Sequence, residues 1–261
     1  MRKGIYFGSL PKDLSWAEKF ALARKAGFDG VEISTIADSD ECREIKRAAD
    51  DEGILIPSVM DSLHWKCPQS SPDPAIRQQG IDNLKKSLET ASVVGADTVL
   101  LVPGVVTADV SYEEAYEQSL ASMEQVKSLA EEYKICVGLE NVWNKFLLSP
   151  LEFRDFIDKI DSPYVKAYFD VGNIILYGFP EHWINILGNR IKKVHIKNFL
   201  RSTYTFTHLL YGDVNWKGVI KALKNIGYDD FLTAELPSYN ECPDQMLYDT
   251  AAQIERIINL L

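Results

Sequence analysis

Eight short apolar runs, most of them followed by a longer amphipathic stretch, set the tightest limit on what this chain can become. The runs are KGIYFGS, GVEIST, ILIPSVMD, DTVLLVPG, ICVGLENV, KAYFDVGN, KKVHIKNF and FLTAELP. Between them lie segments such as LSWAEKFALARKAG, AIRQQGIDNLKKSLETASVVG and SYEEAYEQSLASMEQVKSLAEEY. In these, apolar residues return every three or four places, the period of a helix with one buried stripe. Gly27, Gly53, Gly95 and Gly227 are placed to close helices. Strand and helix alternating eight times, with no long structureless insert, predict a parallel sheet closed on itself inside a ring of helices. An open doubly wound sheet is the competitor. It loses ground because neither GxGxxG after the first run nor GxxxxGK[ST] occurs. The short PEHWINILGN between the sixth and seventh runs predicts a stunted outer helix.

The expected fold is therefore a (β/α)8 TIM barrel formed as one domain over residues 1–261, a length at which a single barrel buries a large core. Lys and Arg number 28 against 38 Asp and Glu, a formal charge of -10 that opposes a polyanion held through its phosphates. Nucleic acid is not an expected partner. Cys42, Cys67, Cys136 and Cys242 are far apart and form no CxxC pair, which argues against a disulfide scaffold and a Cys-rich zinc site. No apolar run approaches the roughly 18 residues of a membrane span, and MRKGIYFGSLPKD is too short of apolar residues for a signal peptide. A soluble cytoplasmic protein, not a membrane protein, is the expectation.

Parity along the later runs leads to chemistry. Side chains alternate across a strand, so in ICVGLEN the large Ile135, Val137 and Leu139 face the helices while Cys136, Gly138 and Glu140 face inward. In FLTAELP, Leu232, Ala234 and Leu236 point out, leaving Thr233 and Glu235 inside. Asp170 shares a face with Tyr168, and His195 with Lys193 and Lys197. Glu140, Asp170, His195 and Glu235 thus converge near the C-terminal ends of four successive strands, where barrels of this kind assemble their sites. Taken singly, each has a plainer role. Asp170 in Asp-Val-Gly-Asn is good turn chemistry, His195 fits a core histidine, and either glutamate can pair with a lysine. Together, three carboxylates in a partly buried mouth repel one another unless a cation answers them. The rival is an internal salt-bridge network through Lys193 and Lys197. The O3N donor set favours Mn²⁺, then Mg²⁺ or Co²⁺, over structural zinc.

Glu140 in GLEN, Asp170 in YFDVGN, His195 in VHIKN and Glu235 in AEL resemble the four metal ligands of the xylose-isomerase-like barrel superfamily, in its branch of sugar and sugar-phosphate isomerases and epimerases. The resemblance spans almost the whole chain. It implies a ketose 3-epimerase in which Glu140 and Glu235, besides binding metal, exchange the C3 proton on opposite faces of an enediolate, while Asp170 and His195 are ligands only. The alternatives on such a site are an aldose–ketose isomerase of the hydroxypyruvate type and an inosose dehydratase. The expected partner is a sugar or sugar phosphate, and the expected assembly a homodimer or homotetramer. The superfamily's nuclease branch is disfavoured, since the chain has only four histidines.

Four further residues are candidates for substrate contact. In the family an arginine placed like Arg201 reaches oxygens near the reacting carbon; the alternative is a solvated loop residue. Lys197 either meets an anionic group or neutralises the mouth. His64 in DSLHW points toward the same opening, as does Glu32 in GVEIS, read as an acceptor for His64 or an arginine. Trp143, with Trp65 and Phe7, offers either a flat face to a sugar or a lid over the core. Trp216 is assigned to packing. Phe146 and Asn173 stand where the ketose 3-epimerases carry a glutamate and a histidine for the substrate's terminal oxygens, so the identity of the ketose is open.

Overall fold

The computed structural model describes residues 1–261. Its strands are β1 (Arg2–Tyr6), β2 (Gly30–Ser34), β3 (Val59–Met60), β4 (Thr98–Leu101), β5 (Cys136–Glu140), β6 (Val165–Asp170), β7 (Ile191–Ile196), β8 (Asn198–Leu200), β9 (Thr205–Thr207) and β10 (Phe231–Ala234). Eight of them close a parallel barrel in the ring order β1-β10-β7-β6-β5-β4-β3-β2, as the alternation predicts. The ring is shut by its two chain ends, with Arg2 to Ile5 of β1 in register with Phe231 to Ala234 of β10. No helix is long and apolar enough to cross a membrane.

Around the ring run α1 (Trp16–Ala26), α2 (Ser39–Asp51), α3 (Pro74–Val94), α4 (Tyr112–Glu124), α5 (Lys127–Tyr133), α6 (Pro150–Ile160), α7 (Pro180–Leu187), α8 (Trp216–Asn225) and α9 (Pro243–Ile258). Local chemistry sets their ends. Ser15 and Ser111 open α1 and α4 with capping boxes to Glu18 and Glu114, each satisfying backbone N–H groups that the first turn leaves free. Gly27 and Gly95 end α1 and α3 with φ of 99° and 79°, a left-handed conformation that a Cβ disfavours. The helix between the sixth and seventh barrel strands, α7, is the expected stunted one, at 8 residues.

Three expectations are corrected. The single helix read over SYEEAYEQSLASMEQVKSLAEEY is two, because the backbone tightens to i→i−3 bonds at Gln125 and Val126. The run ILIPSVMD keeps only Val59–Met60 as a ladder strand, with Gly30 and Leu55 forming an isolated bridge. Between them Pro57 has no N–H to give a neighbour. The run KKVHIKNF is not one strand. The barrel strand ends at Ile196, Lys197 interrupts it, and Asn198 begins an antiparallel hairpin, β8–β9, outside the barrel.

Candidate metal centre

The ends of four strands bring the donors together. Glu140 and Asp170 are the last residues of β5 and β6, Asp170 sits in register with His195 of β7, and Glu235 follows β10 directly. One donor atom from each of Glu140, Asp170, His195 and Glu235 lies within 4.8 Å of every other. The first three are buried and Glu235 is half-buried. Gly138 makes room beneath them: a Cβ there would lie 3.1 Å from Cβ of Tyr168, whose ring packs edge-on to the His195 imidazole.

The two oxygens of Asp170 have different surroundings. Its Oδ1 accepts the Asn173 N–H at 2.7 Å and so shapes the turn. Its Oδ2 is buried, has Lys197 Nζ 3.0 Å away, and accepts no hydrogen bond. Asn141 locks the strand end by accepting the Asp170 N–H and donating to its carbonyl, both at 2.8 Å. Asn173 donates to the Asn141 carbonyl at 2.9 Å.

The His195 ring is held from both sides. Its Nδ1 faces the cluster, 3.1 Å from Glu140 Oε1 and 4.0 Å from Glu235 Oε2. Its Nε2 is 2.9 Å from Oε1 of Glu32, a wholly buried carboxylate. The other Glu32 oxygen accepts from Ser58 Oγ at 2.6 Å and from the Tyr168 hydroxyl at 2.7 Å. Glu32 is therefore the partner of His195, not of His64 or an arginine as expected from sequence. It favours the tautomer with hydrogen on Nε2 and a lone pair on Nδ1, the form a metal ligand needs.

Electrostatics show a charge deficit. Burial pushes the Glu140 carboxyl up to about 7 and raises that of Asp170. Partial burial pushes Glu235 the same way, but the Lys197 ammonium overrules that and holds it below its ordinary range. Burial opposes charge on His195, yet Glu32 and Glu140 hold it well above its usual value. The residues fit a divalent cation: three carboxylate oxygens and an imidazole nitrogen converge, and one buried carboxylate oxygen accepts no hydrogen bond and is answered only by the nearby Lys197 ammonium.

The remaining candidates divide. His64, Lys197 and Trp143 line a mouth cavity of about 200 Å³ together with Glu140 and Glu235. His64 Nδ1 accepts the Val102 N–H at 3.4 Å, which leaves its proton on Nε2, and burial lowers its pKa to about 4. Lys197 is bound to Asp170 and Glu235. Trp143 donates to the Asn173 carbonyl at 2.9 Å. Arg201 is not brought into the lining; its Nε donates to the Ile175 carbonyl at 2.8 Å. Trp65 lines the cavity, whereas Phe7 packs against Tyr6 and Trp16. Phe146 is buried against Tyr112 and Phe156, and Trp216 is buried with its indole N–H on the Leu209 carbonyl. Lys193 belongs to the opposite end of the barrel, paired with Asp97 and Asp230. Sequence reasoning missed two groups. Tyr6 has its pKa raised to about 12 by burial and by the charges of Glu235, Glu32 and Glu140. Phe206 stands on the hairpin, where the alternation in TYTFT was its only signal.

A closed parallel barrel with a buried O3N cluster at its C-terminal mouth defines a metal-binding TIM barrel of enzyme type. The family model described as xylose isomerase-like TIM barrel matches residues 20–259, and the chain belongs to that family. It is 28% identical over 247 residues to the putative L-ribulose-5-phosphate 3-epimerase SgbU of Escherichia coli (strain K12), covering 86% of this chain and 85% of that protein. To the L-ribulose-5-phosphate 3-epimerase UlaE of Escherichia coli (strain SMS-3-5 / SECEC) it is 25% identical over 240 residues, covering 86% and 83%. Among solved structures, an L-ribulose 3-epimerase superposes with a TM-score of 0.85 at 20% identity, over 98% of this chain and 94% of that one. A D-tagatose 3-epimerase-like protein gives 0.84 at 20% identity, over 99% and 98%. These two likenesses establish the fold.

Proposed function

We propose that this chain is a divalent-metal-dependent epimerase acting at C3 of a ketose or ketose phosphate. The observation that carries the reading is the placement of Glu140 and Glu235. Their strands stand three places apart around the eight-strand ring, yet both carboxylates reach the same donor cluster. Two carboxylates approaching one reacting carbon from separated strands suit removal of a proton on one face and its return on the other. The curated relatives named as 3-epimerases support the same reaction class. Asp170, His195 and the two glutamates would hold the cation, Mn²⁺ with Mg²⁺ or Co²⁺ as alternatives. Bound there, it would supply Lewis acidity to the ketose carbonyl and its neighbouring hydroxyl.

The other groups bind and orient. His64, neutral and carrying its proton on Nε2, serves as a donor to a sugar oxygen. Lys197 presents an ammonium on the cavity wall, and Trp143 an indole face. Arg201, outside the lining with its Nε on the Ile175 carbonyl, takes the loop role and not substrate contact. Glu32 holds His195 in its ligating orientation. The alternative on the same four donors is an aldose–ketose isomerase or inosose dehydratase; Lys197 lends it no ready acid, because Asp170 and Glu235 raise the pKa of its ammonium.

The test is incubation of Mn²⁺-loaded protein with ketoses, their phosphates and inososes in D₂O, followed by NMR. Deuterium at C3 with an inverted product is expected. Deuterium at C1 with an aldose product, or loss of water, transfers the assignment to the alternative. Absence of exchange, with no metal retained, removes both.

A further inference from the structure

The mouth cavity is poor in available positive charge. Lys197 is the one cation in its lining, and its ammonium is already shared between Asp170 and Glu235. Arg201 lies outside the lining, and Lys66 and Lys145 on neighbouring loops are exposed and also outside it. A divalent ion at the four donors would have its charge answered by three carboxylates. A phosphate ester needs unclaimed cations or converging N–H groups, and beyond the four donors the lining offers it Trp65, Trp143 and Phe206 instead.

What the mouth has in plenty is aromatic surface. Trp143 and Phe206 line the cavity with ring centroids 4.8 Å apart and planes 31° from parallel. Tyr204, at the hairpin turn, continues this surface outward, 5.7 Å from Trp143. Phe199 anchors it from below, wholly buried and edge-on to Trp143. Trp65 stands on another loop of the same cavity. These rings are left open to solvent: 38% for Trp143 and Phe206, 54% for Trp65 and 61% for Tyr204. Contiguous aromatic surface running out of a polar site marks a place where a ligand covers it, and the C–H face of a sugar ring is apolar enough to do so.

Resting on the assignment of the mouth as a ketose site, we infer that the substrate is an uncharged ketose bearing an O-linked sugar ring, with the ketose over the four donors and the second ring against Trp143, Phe206 and Tyr204. The curated 3-epimerases it resembles are named for a phosphorylated ketose, so the inference separates this chain from them.

The probes are D-fructose, D-fructose 6-phosphate and isomaltulose, which carries a glucosyl ring at the position of the phosphate. Binding to the Mn²⁺-loaded protein is read by quenching of tryptophan fluorescence, independent of turnover. Isomaltulose is expected to bind about tenfold more tightly than the phosphate. Tyr204→Ala and Phe206→Leu should shrink that ratio to about two, with metal affinity retained. Equal or tighter binding of the phosphate, no binding of any probe, or a ratio indifferent to both variants overturns the inference. So does sedimentation showing that the variants convert an oligomer to monomers, since the aromatic surface is then an interface. The deuterium experiment is separate: the expected binding order without exchange removes the epimerase reading and leaves this one, and exchange with preference for the phosphate does the reverse.

Discussion

Strand β7 carries a buried cationic or protonatable side chain toward each end of the barrel, and the two ends use it in opposite ways. At the floor, Lys193 is almost wholly buried and closes a fully paired set: 2.9 Å to Asp97, 2.6 Å to Asp230, with Lys192 on Asp97 and Arg2 on Asp230. Every charge there has a partner. At the mouth, two residues further on, His195 meets Glu32, Glu140, Asp170 and Glu235 with Lys197 as the single full cation. The floor has three cations for two carboxylates, whereas the mouth has four carboxylates around one lysine and one histidine. A cavity of about 240 Å³ at the floor and one of about 200 Å³ at the mouth are similar in size, so volume does not tell them apart. Unanswered charge does.

The contrast is broken most severely at the mouth. Glu140→Gln and Glu235→Gln should each lower turnover about 10²- to 10⁴-fold while far-UV circular dichroism stays native. Loss of folding instead would make these carboxylates structural, like those of the floor. At the floor, Lys193→Met leaves Asp97 and Asp230 without their shared partner. It should cost about 3 kcal/mol in denaturant melts, with activity per folded molecule retained.

Acidity sharpens the difference. The Glu140 carboxyl lies at about 7 in the metal-free fold, above its unfolded value of 4.5, so its contribution to stability is full below the unfolded value and is lost as pH rises through 7. Metal-free protein should therefore lose about 3 kcal/mol between pH 5 and 8, and Mn²⁺ should restore it at the upper end. Metal-free stability that rises over this range would show the mouth to be balanced after all. The smallest effect belongs to Glu32. Glu32→Gln keeps an acceptor for His195 but removes the charge behind it, and chelator competition should show metal affinity about 10- to 100-fold weaker.

Much of this was legible from periodicity. The alternation of runs and helices gave the barrel, and parity placed Glu140, Asp170, His195 and Glu235 inside it. Both depend only on the order of apolar residues along the chain. What escaped were interactions set by particular side chains. Asn198 accepts the Val214 N–H at 3.0 Å and donates to the Leu209 carbonyl at 2.7 Å. It thereby turns the chain out of β7 into a hairpin that the apolar run KKVHIKNF conceals. The partnership of Glu32 with His195 joins β2 to β7, strands on different sides of the ring, and no local pattern encodes a contact between residues 163 positions apart. Lys193 and Lys197 share one parity, so alternation could not say which of them meets the acids; only their height along the barrel does.

The closing pair of the ring has a kinetic meaning. Pairing β1 with β10 joins residues more than two hundred positions apart, the most entropically demanding contact in the barrel and one that a folding chain makes late. Glu235 follows β10 immediately, but β10 also pairs with β7, so the four donors stand on the contiguous strands β5, β6, β7 and β10 and do not need that seam. The energy of coordination is then open to a sheet not yet shut into a ring. Added cation should speed refolding as well as slow unfolding, which stopped-flow traces with and without Mn²⁺ would read.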